Sequence, residues 1–193
     1  MNPALLQLPA AFGLAGATGL NATLPLLIVS LLARLGLIHL AQPYDALASD
    51  IAFYGLVVLA VVEFAVDKVP ALDSVGHAVM LPVSAAAGAI LFASQTGTVT
   101  SMDPGLAVLV SLLAGGAISA TVHVVRAGVR PVINIAFLGP PASILEDVAS
   151  AALSFAALLM PILVPLLLGL LVLGAAVLWD RRKATRPPVP SRR

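Results

Sequence analysis

Cysteine is absent from the 193 residues, which removes disulfides, thiolate metal sites and a thiol nucleophile. Charge is scarce as well: Asp, Glu, Lys and Arg make up 10% of the chain, against roughly 25% in soluble domains. A water-exposed globule cannot be covered with so little polar surface, and a disordered chain needs the opposite composition. What is present is apolar, with 60% hydrophobic residues and a mean hydropathy of +1.07. The class expected from this is an all-α integral membrane protein, a polytopic transmembrane helical bundle with membrane lipids as its first partners.

The few charges are unevenly placed. Six of the ten basic residues (Arg181, Arg182, Lys183, Arg186, Arg192 and Arg193) fall in the last thirteen positions, and none precedes Arg34. Juxtamembrane basic residues favour the cytoplasm, so the C-terminus is expected inside, in a cell inner membrane. Residues 181–193 read as a basic, disordered tail on a single transmembrane domain, 1–180, of five to seven membrane segments. A secretory signal needs a basic region ahead of its apolar stretch, so the start of the chain reads as a retained segment.

Crossing a hydrocarbon core of about 30 Å takes roughly 20 residues. Ile51–Val66, His77–Gln95 and Gly105–Val125 are near that length, the last opened by Asp103-Pro104 and closed by Arg126. Pro3 to Ala41 would form one helix of about 58 Å, too long for a single crossing. Gly13, Gly16, Gly19 and Asn21, with Pro25 close behind, predict a break that leaves segments at about 4–18 and 22–40. Val148 to Trp179 is split by Pro161 and Pro165, which predicts either one kinked helix or a re-entrant hairpin. The hairpin would return Arg126 and Arg130 to the cytoplasmic side. Leu14-Ala15-Gly16 with Asn21-Ala22-Thr23 also echoes Leu113-Ala114-Gly115 with Ser119-Ala120-Thr121. Such an echo fits a weak internal duplication, although small residues recur in any membrane bundle.

Two polar clusters call for a reason. Glu63 and Asp67, four residues apart, share a helix face, with Lys68, Asp73 and His77 following. An ionised carboxylate in hydrocarbon costs at least about 2.5–3.5 kcal/mol, so it pairs, protonates or faces water. One reading makes Glu63 and Asp67 a cation or proton site with Lys68 as counter-charge, Asp73 and His77 at the mouth, and Asn21 completing it from the first break. The other makes these groups the caps and flanks of a turn at headgroup level, which explains Glu63 least well. In the second cluster His123, Arg126 and Arg130 lie on one helix face. They read as an anion-recognising strip or as arginines snorkelling to an interface. Glu146 and Asp147 are expected at the N-terminus of the last helix, or paired with Arg126 or Arg130.

Enzyme motifs are lacking: there is no His-Glu-x-x-His, no nucleophile elbow and no phosphate-cradling loop. No enzymatic activity, metal or cofactor is expected, and the basic tail has anionic lipid rather than nucleic acid as its nearer partner. A homo-oligomer through Gly115-x-x-x-Ser119 or Gly116-x-x-x-Ala120 would suit any membrane reading.

Gly19-Leu-Asn21-Ala-Thr-Leu-Pro25 and the string Glu63-Phe-Ala-Val-Asp67-Lys68-Val-Pro70-Ala-Leu-Asp73-Ser74 resemble the signatures of a bacterial multi-pass membrane family known only as a domain of unknown function. His123 with Arg126, and Glu146-Asp147, fit the same pattern, from about residue 10 to 179. The resemblance implies that both motifs matter and supplies no ligand. The expected function is a transporter or channel for an ion, a proton-coupled small solute or a lipid headgroup. The alternative is a scaffold or assembly subunit whose charges only anchor it.

Overall fold

The computed structural model describes residues 4–67, 70–96, 103–135 and 139–161. Among them the chain is helical, with no strand: α1 (Ala4–Leu20), α2 (Thr23–Arg34), a 3-10 turn (Tyr44–Ala48), α3 (Asp50–Asp67), α4 (Pro70–Gln95), α5 (Pro104–Ser111), a π-helical turn (Leu112–Gly116), α6 (Ala117–Ile135) and α7 (Gly139–Leu159). Helix α1 packs against α4, α6 and α7, while α3 packs chiefly on α2. Leu14, Val29, Leu91 and Ala157 form one core cluster, and Phe12 meets Phe92 edge to face at 5.2 Å.

Local sequence accounts for most ends. Helix α2 stops at Arg34 because Gly36 takes φ 70°, letting Leu37 N–H donate to Leu32 O and Gly36 N–H to Ala33 O, the Schellman pattern that satisfies terminal carbonyls. Asp103 caps α5 through the Gly105 and Leu106 amides, ahead of Pro104 in the first turn. Helix α7 opens on Gly139-Pro140-Pro141, where prolines lose no helical hydrogen bond.

Several boundaries differ from the sequence expectation. The first break is confined to Asn21 and Ala22, and α2 ends at residue 34 rather than 40. Arg126 does not close the third segment: α5, the π turn and α6 run on to Ile135, because this arginine is buried and paired inside the bundle. Helix α7 begins nine residues before Val148, which places Glu146 and Asp147 within it rather than at its start. It ends at Leu159, just before Pro161, and the expected re-entrant hairpin and basic tail lie outside the described residues. The two stretches of the internal echo differ in conformation, since Leu113-Ala114-Gly115 lies in the π turn and Leu14-Ala15-Gly16 in regular helix.

By length and composition, Pro104–Val129 and Pro140–Leu159 can cross a bilayer. Only 22% and 28% of their apolar windows are buried inside the protein, whereas a core helix of a soluble globule is mostly buried. The partition of side chains agrees. Ile51, Leu59, Val62, Leu113, Val125 and Leu145 are exposed, while Thr18, Asn21, Glu63, Ser84, Ser119 and Ser150 are buried. An apolar exterior around a hydroxyl-rich interior suits hydrocarbon surroundings, where small residues and interhelical hydrogen bonds hold helices together.

Close approach is tightest where α4 meets the π turn. A Cβ on Gly88 would sit 2.6 Å from both Gly115 O and Ser119 Cβ, and one on Gly115 would strike Gly88 O and Phe92. Gly115 and Ser119, expected as an oligomer face, are thus used within the chain. Gly88→Ala is expected to destabilise the bundle by about 1–3 kcal/mol through forced separation of backbones. Gly16→Ala, whose Cβ would find only Leu153 at 3.8 Å, should be neutral or stabilise by up to about 1 kcal/mol. Thermal unfolding of both variants in detergent checks the opposite signs.

Candidate functional site

The site is built on the helix break. A helix starting at Thr23 leaves its first N–H groups without intrahelical acceptors, and in a water-free interior each needs another partner. Asn21 Oδ1 accepts from Thr23 N (3.1 Å) and Leu24 N (2.8 Å). The Glu63 carboxylate of α3 accepts from Ala22 N and Thr23 N, both at 3.0 Å, and from the Thr23 hydroxyl. Pro25 has no N–H to satisfy. The short string Asn21-Ala-Thr-Leu-Pro25, with one carboxylate from 40 residues away, closes the end of α2.

Magnitudes explain why Glu63 is 6% exposed instead of at a headgroup surface. Burying the charge costs at least about 2.5–3.5 kcal/mol on insertion scales. Hydrogen bonds to a charged group contribute about 1.5–3 kcal/mol each, and a helix N-terminus up to about 2 kcal/mol more. Three such bonds at a helix N-terminus exceed the penalty. Glu63 is therefore a buried cap on the start of α2 rather than an exposed residue near the end of α3.

The facing end of α1 is closed by hydroxyls. Ser150 of α7 donates to Ala17 O (2.9 Å), and Ser84 of α4 to Thr18 O (3.1 Å). Thr18, Ser119 and Ser84 then join α1, α6 and α4 through oxygen–oxygen contacts of 2.8 and 2.7 Å. These hydroxyls were missed in the sequence as functional groups; their signal was the spacing of Ser84 with Gly88, Gly115 with Ser119, and Ser150 with Ser154.

Helix α7 ties the junction to the second cluster. Asn21 Nδ2 donates to Asp147 Oδ1 (3.0 Å), so one side chain caps α2 with its oxygen and holds α7 with its nitrogen. The adjacent Glu146 accepts from Arg126 Nε of α6 at 2.7 Å, with 5% of the arginine side chain exposed. This replaces the snorkelling expected for Arg126. His123, one turn earlier on α6, is also buried. Asn21, Glu63, His123, Arg126, Glu146 and Asp147 thus sit inside the bundle, most of them along a seam linking α2, α3, α6 and α7. Asp67 ends α3, Asp73 and His77 ride in the first turns of α4, and Arg130 follows on α6, with their side chains outside the described set, as is Lys68.

Removing one partner of a largely buried ion pair weakens the setting of the other charge, at up to about 3–5 kcal/mol. Arg126→Met is expected to destabilise by this order, and adding Glu146→Gln should restore most of the loss. A double-mutant cycle read by chemical or thermal unfolding checks the coupling; additive losses would deny it.

No curated protein and no solved structure matches the chain. A family model does, over residues 8–181, a stretch that contains the Asn21 break, Glu63 and the Arg126–Glu146 pair. The chain belongs to the family described as a domain of unknown function (DUF4126).

Proposed function

We propose that the protein is a membrane transporter or channel for an ion or a proton-coupled small solute, with the α1–α2 break as its binding region. The observation that supports this most is the buried Glu63 carboxylate at a broken-helix junction, beside Asn21 and Asp147. Transporters place interrupted helices and intramembrane carboxylates together because helix ends and acidic groups supply polar sites at membrane depth. In this reading the chain crosses the inner membrane several times with its C-terminus in the cytoplasm. Arg126 and Glu146, paired with each other, form the wall of the path.

A scaffold or assembly role is the second reading. It is favoured by one specific feature: the described hydrogen bonds of Glu63 all go to the start of α2, as in a structural cap.

Purified protein in liposomes, with a pH-sensitive dye or a cation reporter inside, separates the two. The transport reading expects protein-dependent flux of protons or a monovalent cation, lost in Glu63→Gln protein that still folds. Vesicles no leakier than empty ones to either ion would leave the scaffold.

A further inference from the structure

Helix α2 is joined to α3 by a charged contact at each end, which makes the two helices antiparallel. At the outer end Arg34 pairs with Asp50 (2.6 Å), donates to Ala48 O (3.3 Å) and lies 4.8 Å from the centre of the Phe53 ring. That contact is solvent-facing, with 77% of the Asp50 side chain exposed, and such pairs hold weakly. The inner contact is Glu63 on the α2 N-terminus, and it is buried. Beside the apolar packing of Val29 and the Ser30 hydroxyl on Leu47 O, Glu63 is the buried charged contact that seats α2 on α3.

We propose that Glu63 is a proton-binding site whose protonation releases α2 from α3. Among its described contacts the ionised carboxylate accepts from three donors, Ala22 N–H on one oxygen and the Thr23 N–H and hydroxyl on the other. A proton converts one of these oxygens into a donor. On the first it opposes the Ala22 N–H. On the second it opposes the Thr23 N–H and forces the Thr23 hydroxyl to turn round and accept. Either way the negative charge opposite the helix N-terminus disappears. Release has a ready pivot at Asn21-Ala22, the only two residues between α1 and α2.

Neighbouring elements carry further charged and titratable residues. Asp147 of α7 reaches the junction through Asn21, and Glu146 beside it is engaged with Arg126 of α6, with His123 one turn away. Helix α3 adds Asp67 one turn beyond Glu63, and α4 carries Asp73 and His77 near its start. The proposal rests on the transport reading only in naming its coupling ion. It is tested on conformation, so its failure is distinct from an absence of flux.

The lack of cysteine allows clean labelling. Spin labels at Leu31→Cys on α2 and Val62→Cys on α3, both exposed positions, report the separation of the helices in lipid nanodiscs by pulsed electron resonance. Between about pH 3 and 7, a range set by hydrogen bonds that favour the ionised carboxylate, the longer-distance population should grow on acidification, by up to about tenfold per pH unit, the limit for one proton. In Glu63→Gln the distances should not respond to pH. Thr23→Val keeps the carboxylate and removes one donor, so it should enlarge the longer population at every pH while retaining the response, a test that stands if the glutamine variant fails to fold. A wild-type distribution that is constant over this range, or a response that survives in Glu63→Gln, overturns the proposal.

Discussion

A helix that starts inside a bundle leaves N–H groups with no water to receive them, and this constraint organises the rest of the molecule. Helix α2 begins at Thr23, in surroundings where Asn21 and Ala22 are each 3% exposed. Its first amides are taken by the Asn21 side chain and the Glu63 carboxylate. Glu63 fixes α3 against α2, and Asn21 passes its amide nitrogen to Asp147 and so fixes α7. From α7 the neighbouring Glu146 reaches Arg126 on α6. A single unsatisfied helix end thus accounts for why acidic residues from two distant helices converge in an apolar interior.

The other side of the break is handled by different chemistry. Carbonyls near the end of α1 receive hydroxyls from Ser84 and Ser150, with Thr18 and Ser119 completing the contact to α6. These are neutral groups on small side chains, and they sit where Gly19, Gly88 and Gly115 let backbones approach. Helices α1, α4, α6 and α7 pack tightly through small residues, while α2 adds to its apolar packing a buried charged contact with α3 at Glu63.

Local features were the legible ones. The break near Asn21 follows from glycines, an asparagine and a following proline, whereas the sequence leaves Glu63 open between a membrane site and a surface turn. Two expectations fail because charge in this chain does not mark a helix boundary. Arg126 looked like the end of a helix and lies within one; Glu146 and Asp147 looked like the start of a helix and lie in its third turn. Each of these charges has a partner far away in sequence, at separations of 20 and 126 residues; the Arg126–Glu146 pair is one of the alternatives the sequence offers, while the Asn21–Asp147 contact appears only once the helices are packed. The start of α7 did carry a local sign, Pro140-Pro141, which a reading centred on apolar runs passes over.

The central claim is that the start of α2 is sealed inside the bundle by Asn21 and Glu63. Hydrogen–deuterium exchange resolved at the Ala22, Thr23 and Leu24 amides, in nanodiscs at neutral pH, tests it most directly. Sealing predicts protection comparable to amides in the middle of α2, although helix-start amides ordinarily exchange fast. Exchange at the rate of a frayed, hydrated helix end would contradict it.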